Sequence, residues 1–383
     1  MGQIANCQYV SDAIFRRWGR RFTPVGGTAL QIANREYLFR LIDSANNNRT
    51  DLRSNSLADG RVLDKDVIDT AVERFWLATR ARFLCLRGTF TNDRGIGAWS
   101  EDGINFRIHR ENFSNGLFPD LTRVIWAQNQ FVACGSSWGV RTSPDGYVWT
   151  QRSAANYGRI AFGNGWYLAS YINSRSIYRS TDLVNWTEVI PANIVSGAGI
   201  TAIFFHNNNW LIGTSVGIYR STDNGVNWTR VLDTVNLRIH ALAYGNNTFV
   251  ALRTPAGSET ATQTITPLTS PDGITWTARN GVTNWGRVGN MIFAGGQFVA
   301  VGSTINTSPD GITWTRRTAA GGYTDIAYGL NRYVAAGASS FGSTENGRIA
   351  HSPDGITWTV LSNLQPGNVS TNSQGFSAVC FSP

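Results

Sequence analysis

Seven aspartates recur along the chain, each two residues after a serine and each followed closely by an aromatic residue. Carboxylates are what glycoside hydrolysis requires, because one must act as an acid and a second must face it across a cleft. Here each aspartate lies in a short S-x-D string. Short Ser and Asp side chains in such strings accept hydrogen bonds from nearby backbone N–H groups. We therefore predict that the aspartates shape turns and that none of them is catalytic.

The strings also repeat almost without change. Three copies read S-P-D-G-I-T-W-T, and successive aspartates are 37 to 49 residues apart. The serine, aspartate and aromatic positions are Ser100, Asp102 and Phe106; Ser143, Asp145 and Trp149; Ser180, Asp182 and Trp186; Ser221, Asp223 and Trp228; Ser270, Asp272 and Trp276; Ser308, Asp310 and Trp314; and Ser352, Asp354 and Trp358. A period of about 40 residues suits one four-stranded blade of a β-propeller.

A second signature precedes each string after the first. One aromatic residue ends an apolar run, four residues follow, and another aromatic residue opens the next run. The pairs are Trp126/Phe131, Phe162/Tyr167, Phe205/Trp210, Tyr244/Phe249, Phe293/Phe298 and Tyr328/Tyr333. Intervening residues such as Gly245, Asn246 and Asn247 tolerate positive φ and favour tight hairpins. Each repeat is therefore expected to contain four strands.

The first repeat lacks one strand. Its second strand begins at Phe83, but Ala78 occupies the place of the first-strand aromatic. Residues 376–381 fit the missing strand, with Phe381 in the aromatic position. We predict a mainly β fold, a seven-bladed β-propeller over residues 76–383 closed by the C-terminal strand, which removes free sheet edges at the junction.

These turns resemble the Asp-box, or BNR repeat, of sialidases, sortilin-type receptors, xyloglucan-degrading propellers and photosystem II assembly factors. The resemblance covers residues 83 to 383. The string at Ser221 fits the spacing S-x-D-x-G-x-x-W, five others are one residue shorter, and the string at Ser180 lacks the glycine. The resemblance implies a propeller whose boxes lie at blade edges, away from the central binding face. The sialidase F-R-I-P motif is absent, because Phe39 and Phe106 open similar strings without the proline.

Other reactive residues form no recognisable centre. The four histidines are scattered, and Cys7, Cys85, Cys134 and Cys380 have no zinc spacing, so we predict buried free thiols, no metal and no cofactor. Asp325 opens an inner strand as a lone carboxylate, which is more typical of a solvated rim than of an acid–base pair. The chain is predicted not to be an enzyme.

A binding face is a separate expectation. The net charge is +8, almost wholly from arginine, which suits an anionic partner or, alternatively, a broadly solvated surface. Residues leading into the inner strands include a mixture suited to stacking and anion contacts. They are Arg123, Arg159, Arg238, Trp285, Arg287 and Tyr323.

Residues 1–75 lack the repeat and carry helical periodicity. Thr28 and Gln31 form a capping-box pattern, and a second helix is expected from about Asp64. A helical segment this short cannot bury a good core alone. We therefore predict that it is an anchor that packs against the propeller or another chain. A candidate docking patch comprises Arg16, Arg17, Trp18, Arg20 and Arg21.

A helical anchor before a rigid disc is similar in layout to modular appendages of tailed bacteriophage particles. The sequence has 12% aromatic and 15% charged residues, which excludes a disordered or coiled-coil chain. We therefore expect a non-enzymatic structural or recognition protein of a phage tail, neck or fibre, located in the virion. Other virion proteins would bind the N-terminal segment, and a host glycan or receptor is a further candidate partner, whereas membrane insertion and nucleic-acid binding are not expected. The alternatives are a soluble cytoplasmic assembly factor resembling the photosystem II propellers and a sialidase-like glycan-binding or glycan-hydrolysing protein.

Overall fold

The computed structural model describes residues 81–87, 96–109, 121–191, 194, 198–234, 237–255, 263–317, 322–338, 347–361 and 375–383. The predicted helical anchor, residues 1–75, lies outside the described residues, as do its docking patch and Cys7. The β-rich unit begins at Ala81.

Within the described ranges, twenty-eight strands form seven antiparallel sheets of four strands each, which we number as blades 1 to 7. Blade 1 contains β1 (Arg82–Arg87), β2 (Ile96–Ser100), β3 (Arg107–His109) and β28 (Ala378–Ser382). Blade 2 contains β4 (Leu121–Ala127), β5 (Gln130–Gly135), β6 (Gly139–Ser143) and β7 (Thr150–Ser153). Blade 3 contains β8 (Arg159–Gly163), β9 (Trp166–Ser170), β10 (Ile177–Ser180) and β11 (Thr187–Val189). Blade 4 contains β12 (Ile200–His206), β13 (Asn209–Thr214), β14 (Gly217–Ser221) and β15 (Thr229–Asp233).

The remaining three blades follow the same plan. Blade 5 contains β16 (Leu237–Gly245), β17 (Thr248–Pro255), β18 (Thr266–Ser270) and β19 (Thr277–Ala278). Blade 6 contains β20 (Val288–Ala294), β21 (Gln297–Gly302), β22 (Ile305–Ser308) and β23 (Thr315–Arg317). Blade 7 contains β24 (Gly322–Gly329), β25 (Arg332–Ala338), β26 (Arg348–Ser352) and β27 (Thr359–Leu361).

The innermost strands β28, β4, β8, β12, β16, β20 and β24 contact one another in cyclic order, so the blades form a ring. The seven-bladed mainly β prediction is confirmed. Blade 1 takes its inner strand from β28, which pairs antiparallel with β1 and places Phe381 opposite Phe83. Because the strands alternate in direction, all inner strands begin on one face of the disc, the loop face. They end on the other, the turn face, which also holds the S-x-D turns.

The predicted aromatic pairs meet side by side in every blade. Each first-strand aromatic lies opposite its second-strand partner, as in Trp126 and Phe131 of blade 2, whose ring centroids are 4.8 Å apart. In blade 1 the same pairing joins Phe83 and Phe381, with ring centroids 5.0 Å apart. Second-strand members are almost completely buried between blades, where one such ring contributes about 1.5–3 kcal/mol. The pairs therefore serve as the repeated core of the ring.

The S-x-D turns have the hydrogen bonds that the sequence suggests. In the turn of blade 5 the Ser270 hydroxyl donates to Asp272 Oδ1 at 2.9 Å and accepts from the N–H of Gly273 at 2.9 Å. The other carboxylate contacts come from backbone N–H groups at 2.8 Å. The serine-to-aspartate bond recurs in all seven turns at 2.8–2.9 Å. These serine and aspartate side chains thus stabilise the turn face.

A left-handed residue is required in each of these turns. Glycine supplies it in six, with φ between +69° and +81°, as in Gly311 at +75°. In the turn that lacks glycine, Leu183 adopts φ of +66°. Its side chain is 2% exposed and packs against the blade 2–blade 3 core, beside Tyr157 and Ile160. Buried apolar contact therefore offsets an unfavourable backbone conformation at Leu183.

Candidate ligand channel

A cavity of about 940 Å³ runs along the axis of the ring. Its walls are the inner strands of blades 2 to 6, joined by Gly322 and Thr324 of the inner strand of blade 7 and by residues just before the inner strand of blade 1. The side chains that define its character are Arg123, Ile125, Trp126, Arg159, Ala161, Phe162, Phe204, Phe205, His240, Ala243, Tyr244, Asn290, Ile292 and Phe293. The seven-fold repeat thus creates a central channel whose walls are built in layers.

The most polar layer lies three residues before each first-strand aromatic. Around the ring from blade 1 to blade 7 this position holds Ala378, Arg123, Arg159, Ala202, Ala241, Asn290 and Asp325. Four polar side chains therefore occupy blades 2, 3, 6 and 7, whereas blades 1, 4 and 5 have alanine. Because blade 1 has only Ala378, the side chains of blades 7 and 2 can reach each other across it.

Asp325 is the anchor of this layer. Its carboxylate accepts hydrogen bonds from Arg123 Nη1 at 3.2 Å and from Asn290 Nδ2 at 2.6 Å. The backbone N–H groups of Ile326 and Val379 donate to it at 3.0 and 3.1 Å. Asp325 is 2% exposed, so the expected solvated rim carboxylate is instead a buried acceptor linked to blades 6, 7, 1 and 2.

The loop-face end of the channel is its mouth, and the side of the mouth opposite Asp325 is cationic. Arg159 donates to Thr201 O at 2.9 Å and to Gly158 O at 2.8 Å. Burial, together with the nearby positive charges of Arg123 and Arg238, lowers the pKa of Arg159 to about 10. No carboxylate among the described residues forms an ion pair with Arg159. The two arginines that line the channel, Arg123 and Arg159, therefore carry more positive charge than Asp325 compensates.

His240 lies beside this cluster in a neutral form. Its Nε2 is 2.7 Å from Thr254 Oγ1. Burial and the positive charges of Arg238 and Arg159 lower the pKa of His240 to about 4. At neutral pH the imidazole therefore adds a hydrogen-bonding group without adding charge.

A repeated β-bulge shapes the mouth. Five inner strands shift register four residues before the aromatic, at Thr122, Thr201, His240, Gly289 and Thr324. Bulges redirect the neighbouring side chains and are common beside functional sites. The Thr201 hydroxyl donates to Gly213 O at 3.0 Å and also to Ile239 O of the next blade. The bulges thus position the polar layer and link adjacent inner strands.

The predicted binding residues do not all lie together. Arg123 and Arg159 line the channel, and Arg238 lies close enough to lower the pKa of Arg159. Trp285 and Tyr323 are 1% and 0% exposed, respectively, and pack in cores between blades, so neither offers a ring face to a ligand. Arg287 is half-buried just before β20, where its N–H donates to Ser303 Oγ at 3.1 Å.

Residues that the sequence did not single out complete the site. Asn290, His240 and the bulged threonines Thr201 and Thr324 line the channel and form hydrogen bonds to residues outside their own strands. A usable signal was present, since counting back four and three residues from each aromatic finds the bulge and the polar layer. Cys85, Cys134 and Cys380 are buried free thiols, as expected, and burial raises the pKa of Cys134 to about 12.

Among the described residues no three His, Cys, Asp or Glu side chains are grouped closely enough to hold a metal ion. Within those ranges, no helix has the length and apolar character needed to cross a bilayer.

No protein-family model matches the sequence, and no curated protein shows significant similarity to it. Solved structures with a similar arrangement include YCF48 from Cyanidioschyzon merolae, at 15% identity and a TM-score of 0.47, over 67% of this chain and 94% of that one. AztD from Citrobacter koseri has 11% identity and a TM-score of 0.43, over 79% and 98%. Virginiamycin B lyase from Staphylococcus aureus has 9% identity and a TM-score of 0.49, over 64% and 85%. At these levels of similarity no ligand or activity is transferred to this chain.

Proposed function

We propose that this protein is a non-enzymatic recognition module whose propeller binds an anionic group at the loop-face mouth of the channel. The observation that carries the proposal is that Arg123 and Arg159 both line the 940 Å³ cavity, with Asp325 as the nearby carboxylate. Arginine suits this task because its planar fork matches carboxylate and phosphate oxygens.

Electrostatics favours an anion over a neutral ligand. Arg123 is already paired with Asp325. Arg159 uses Nε and Nη1 for backbone carbonyl groups, which satisfies hydrogen bonds without neutralising its charge. A bound anion would therefore relieve repulsion between the guanidinium groups of Arg123 and Arg159 as well as gain charge-assisted hydrogen bonds.

The carboxylates near the channel suit binding better than glycoside hydrolysis. A glycosidase uses two carboxyl groups about 5–9.5 Å apart on opposite sides of the scissile bond. Among the described residues that line the channel there is no Asp or Glu, and Asp325 behind the wall is held by four hydrogen bonds. This arrangement supports ligand retention and offers Asp325 no acid–base partner.

We further propose that the recognition module belongs to a bacteriophage particle, in its tail, neck or fibre region. The support is the layout of the sequence, in which a non-repeat segment of about 75 residues precedes the seven-repeat disc. In this arrangement the N-terminal segment contacts virion proteins and the propeller faces an external ligand.

The binding proposal is tested by isothermal titration calorimetry, which measures the affinity of the full chain for each ligand at two salt concentrations. The ligands are carboxylated, sulfated and neutral oligosaccharides and acidic peptides. We expect at least one anionic class to bind, with Arg159→Gln weakening it tenfold or more. Arg175→Gln removes the same charge from an exposed residue outside the channel and should have little effect. Equal effects of the two variants would contradict the proposal.

Placement in the particle needs a separate test. Particles released from the source cells are purified on a density gradient and probed with an antibody against the propeller. Cosedimentation and immunogold labelling at a tail, neck or fibre are expected. Protein found wholly in the particle-free fraction would contradict the virion proposal and leave the binding proposal standing.

A further inference from the structure

The channel changes character along its axis. Directly before each first-strand aromatic, the ring from blade 1 to blade 7 holds Cys380, Ile125, Ala161, Phe204, Ala243, Ile292 and Ala327. Five of these side chains, from blades 2 to 6, line the cavity. They form an apolar waist below the cationic mouth.

Below the waist lie the seven first-strand aromatics, Phe381, Trp126, Phe162, Phe205, Tyr244, Phe293 and Tyr328. All seven are half-buried, and those of blades 2 to 6 line the cavity. Three of them pack so closely on the preceding blade that only glycine fits there. A Cβ at Gly163 would lie 2.1 Å from the Phe205 ring, and one at Gly245 would lie 1.9 Å from Phe293. The turn-face end of the channel is therefore an aromatic belt.

The two ends lie within reach of one small molecule. The polar layer and the aromatic belt are three residues apart along each inner strand, or about 10 Å at the rise of a β-strand. No ionisable side chain other than the buried Cys380 thiol occurs in the waist. His206 lines the cavity beyond the belt, and burial lowers its pKa, which favours the uncharged imidazole. A ligand with an anionic end and an apolar tail therefore matches the mouth and the waist.

We propose that the channel binds amphiphilic carboxylates, with the carboxylate at Arg159 and the apolar tail in the waist. This inference rests on the proposed function, because it uses the same cationic mouth, and it adds the class of ligand. The waist side chains offer no hydrogen bond to a ligand that is polar throughout, and burying its polar groups against them is costly. A neutral apolar ligand would leave the excess positive charge of the mouth uncompensated.

The test compares octanoate, acetate and octanol, which share the tail or the head but not both. Binding to the full chain is followed by NMR through the side-chain N–H groups of Trp126 at the belt and Arg159 at the mouth. We expect octanoate to bind at least tenfold more tightly than acetate and octanol. Signals of both reporters should shift with octanoate, but only Arg159 should respond to acetate.

Variants of the waist separate the tail from the head. Ala161→Phe should remove the advantage of octanoate over acetate, whereas Ala278→Phe, on the exposed outer strand β19, should leave it unchanged. Ile292→Thr makes the waist more polar without adding volume, so it repeats the test if Ala161→Phe fails to fold. Acetate affinity should stay within about twofold of the parent in each variant.

The outcomes distinguish the two proposals. If octanoate and acetate bind equally and both require Arg159, the anion site stands and the amphiphile inference is wrong. If octanol binds as well as octanoate and Arg159→Gln has no effect, or if no anion binds, the proposed function itself fails. If only an acidic peptide with apolar side chains binds, the occupant is a protein segment and the amphiphile inference is overturned.

Discussion

Asp325 of blade 7 and Arg123 of blade 2 form an ion pair at 3.2 Å across blade 1, the blade between them. The two side chains can meet because blade 1 has the small side chain of Ala378 at the equivalent position. Blade 1 also donates the N–H of Val379 to the same carboxylate, at 3.1 Å. Asp325 thus connects the inner strand that closes the ring to both neighbouring blades.

Removing this carboxylate should be strongly destabilising. Asp325→Ala leaves the Arg123 guanidinium, the Asn290 amide and two buried N–H groups without this acceptor, so we expect a loss of about 3–5 kcal/mol in the free energy of unfolding. The measurement is chemical denaturation followed by near-ultraviolet circular dichroism. Asp233→Ala is the matched control, because Asp233 pairs with Arg230 at an exposed site and should cost less than about 1 kcal/mol. Similar losses for both variants would contradict the anchoring role.

Two glycines of blade 6 separate backbone conformation from packing. Gly296 has φ of +80° with nothing within 4 Å of a built Cβ, so Gly296→Ala should cost about 1–2 kcal/mol. Gly311 has φ of +75°, and its Cβ would lie 2.4 Å from Val250 Cγ2, so Gly311→Ala should cost about 1–3 kcal/mol more. Thermal unfolding of the two variants checks the order. An equal loss would mean that Val250 moves aside freely.

Leu183 presents the opposite case, because it adopts the positive φ that glycine adopts in the other six S-x-D turns. Leu183→Gly would relieve about 1–2 kcal/mol of unfavourable backbone energy but lose about 2–5 kcal/mol of buried contact. We expect net destabilisation, measured by denaturant titration. Leu183→Met keeps the volume and the backbone conformation and should change stability by less than about 1.5 kcal/mol. A more stable Leu183→Gly variant would show that strain outweighs packing.

The turn aspartates predict a dependence of stability on acid pH. Hydrogen bonds from the backbone N–H groups of Thr275 and Ile274 lower the pKa of Asp272 to about 2, against an ordinary value of 3.8. Because the pKa of Asp272 is lower in the folded state than in the unfolded state, the ionised side chain stabilises the fold at pH values above about 4. This stabilisation is lost as pH falls from about 4 towards 2. The melting temperature should fall steeply over this range, and less steeply in Asp272→Asn. Identical slopes would contradict a contribution from this turn.

The repeat made much of the fold predictable from sequence. The aromatic pairs fixed the first hairpin of each blade, and Phe381 identified the inner strand of blade 1, because these contacts repeat at a constant local spacing. The polar layer was less predictable. Arg123, Arg159 and Arg238 were recognised as candidates, but the partnership of Asp325 with Arg123 joins residues 202 positions apart. No local pattern encodes which small residue, here Ala378, lets two blades meet across a third.

The burial of Trp285 and Tyr323 has a similar explanation. Both precede or open inner strands, so their sequence positions match those of channel residues. Their side chains point to the opposite side of the chain, where Trp285 packs on Trp314 with centroids 5.0 Å apart. The repeat gives strand positions, but at the bulges of Thr201 and Thr324 the hydroxyl groups also bond to Ile239 O and Phe376 O of the next blade, which no local pattern encodes.

The pairing of β28 with β1 also determines when the ring of blades can close during synthesis. Ser382 donates to Arg82 O at 3.4 Å, a contact between residues 300 positions apart, while the other six blades are built from consecutive strands. At a synthesis rate of about 5–20 residues per second, β1 is synthesised about 15–60 s before β28. During that interval β1 has no inner partner, so blade 1 exposes an unpaired strand edge. Chaperone contact and misassembly between neighbouring nascent chains are therefore expected to concentrate at β1, before the ring closes.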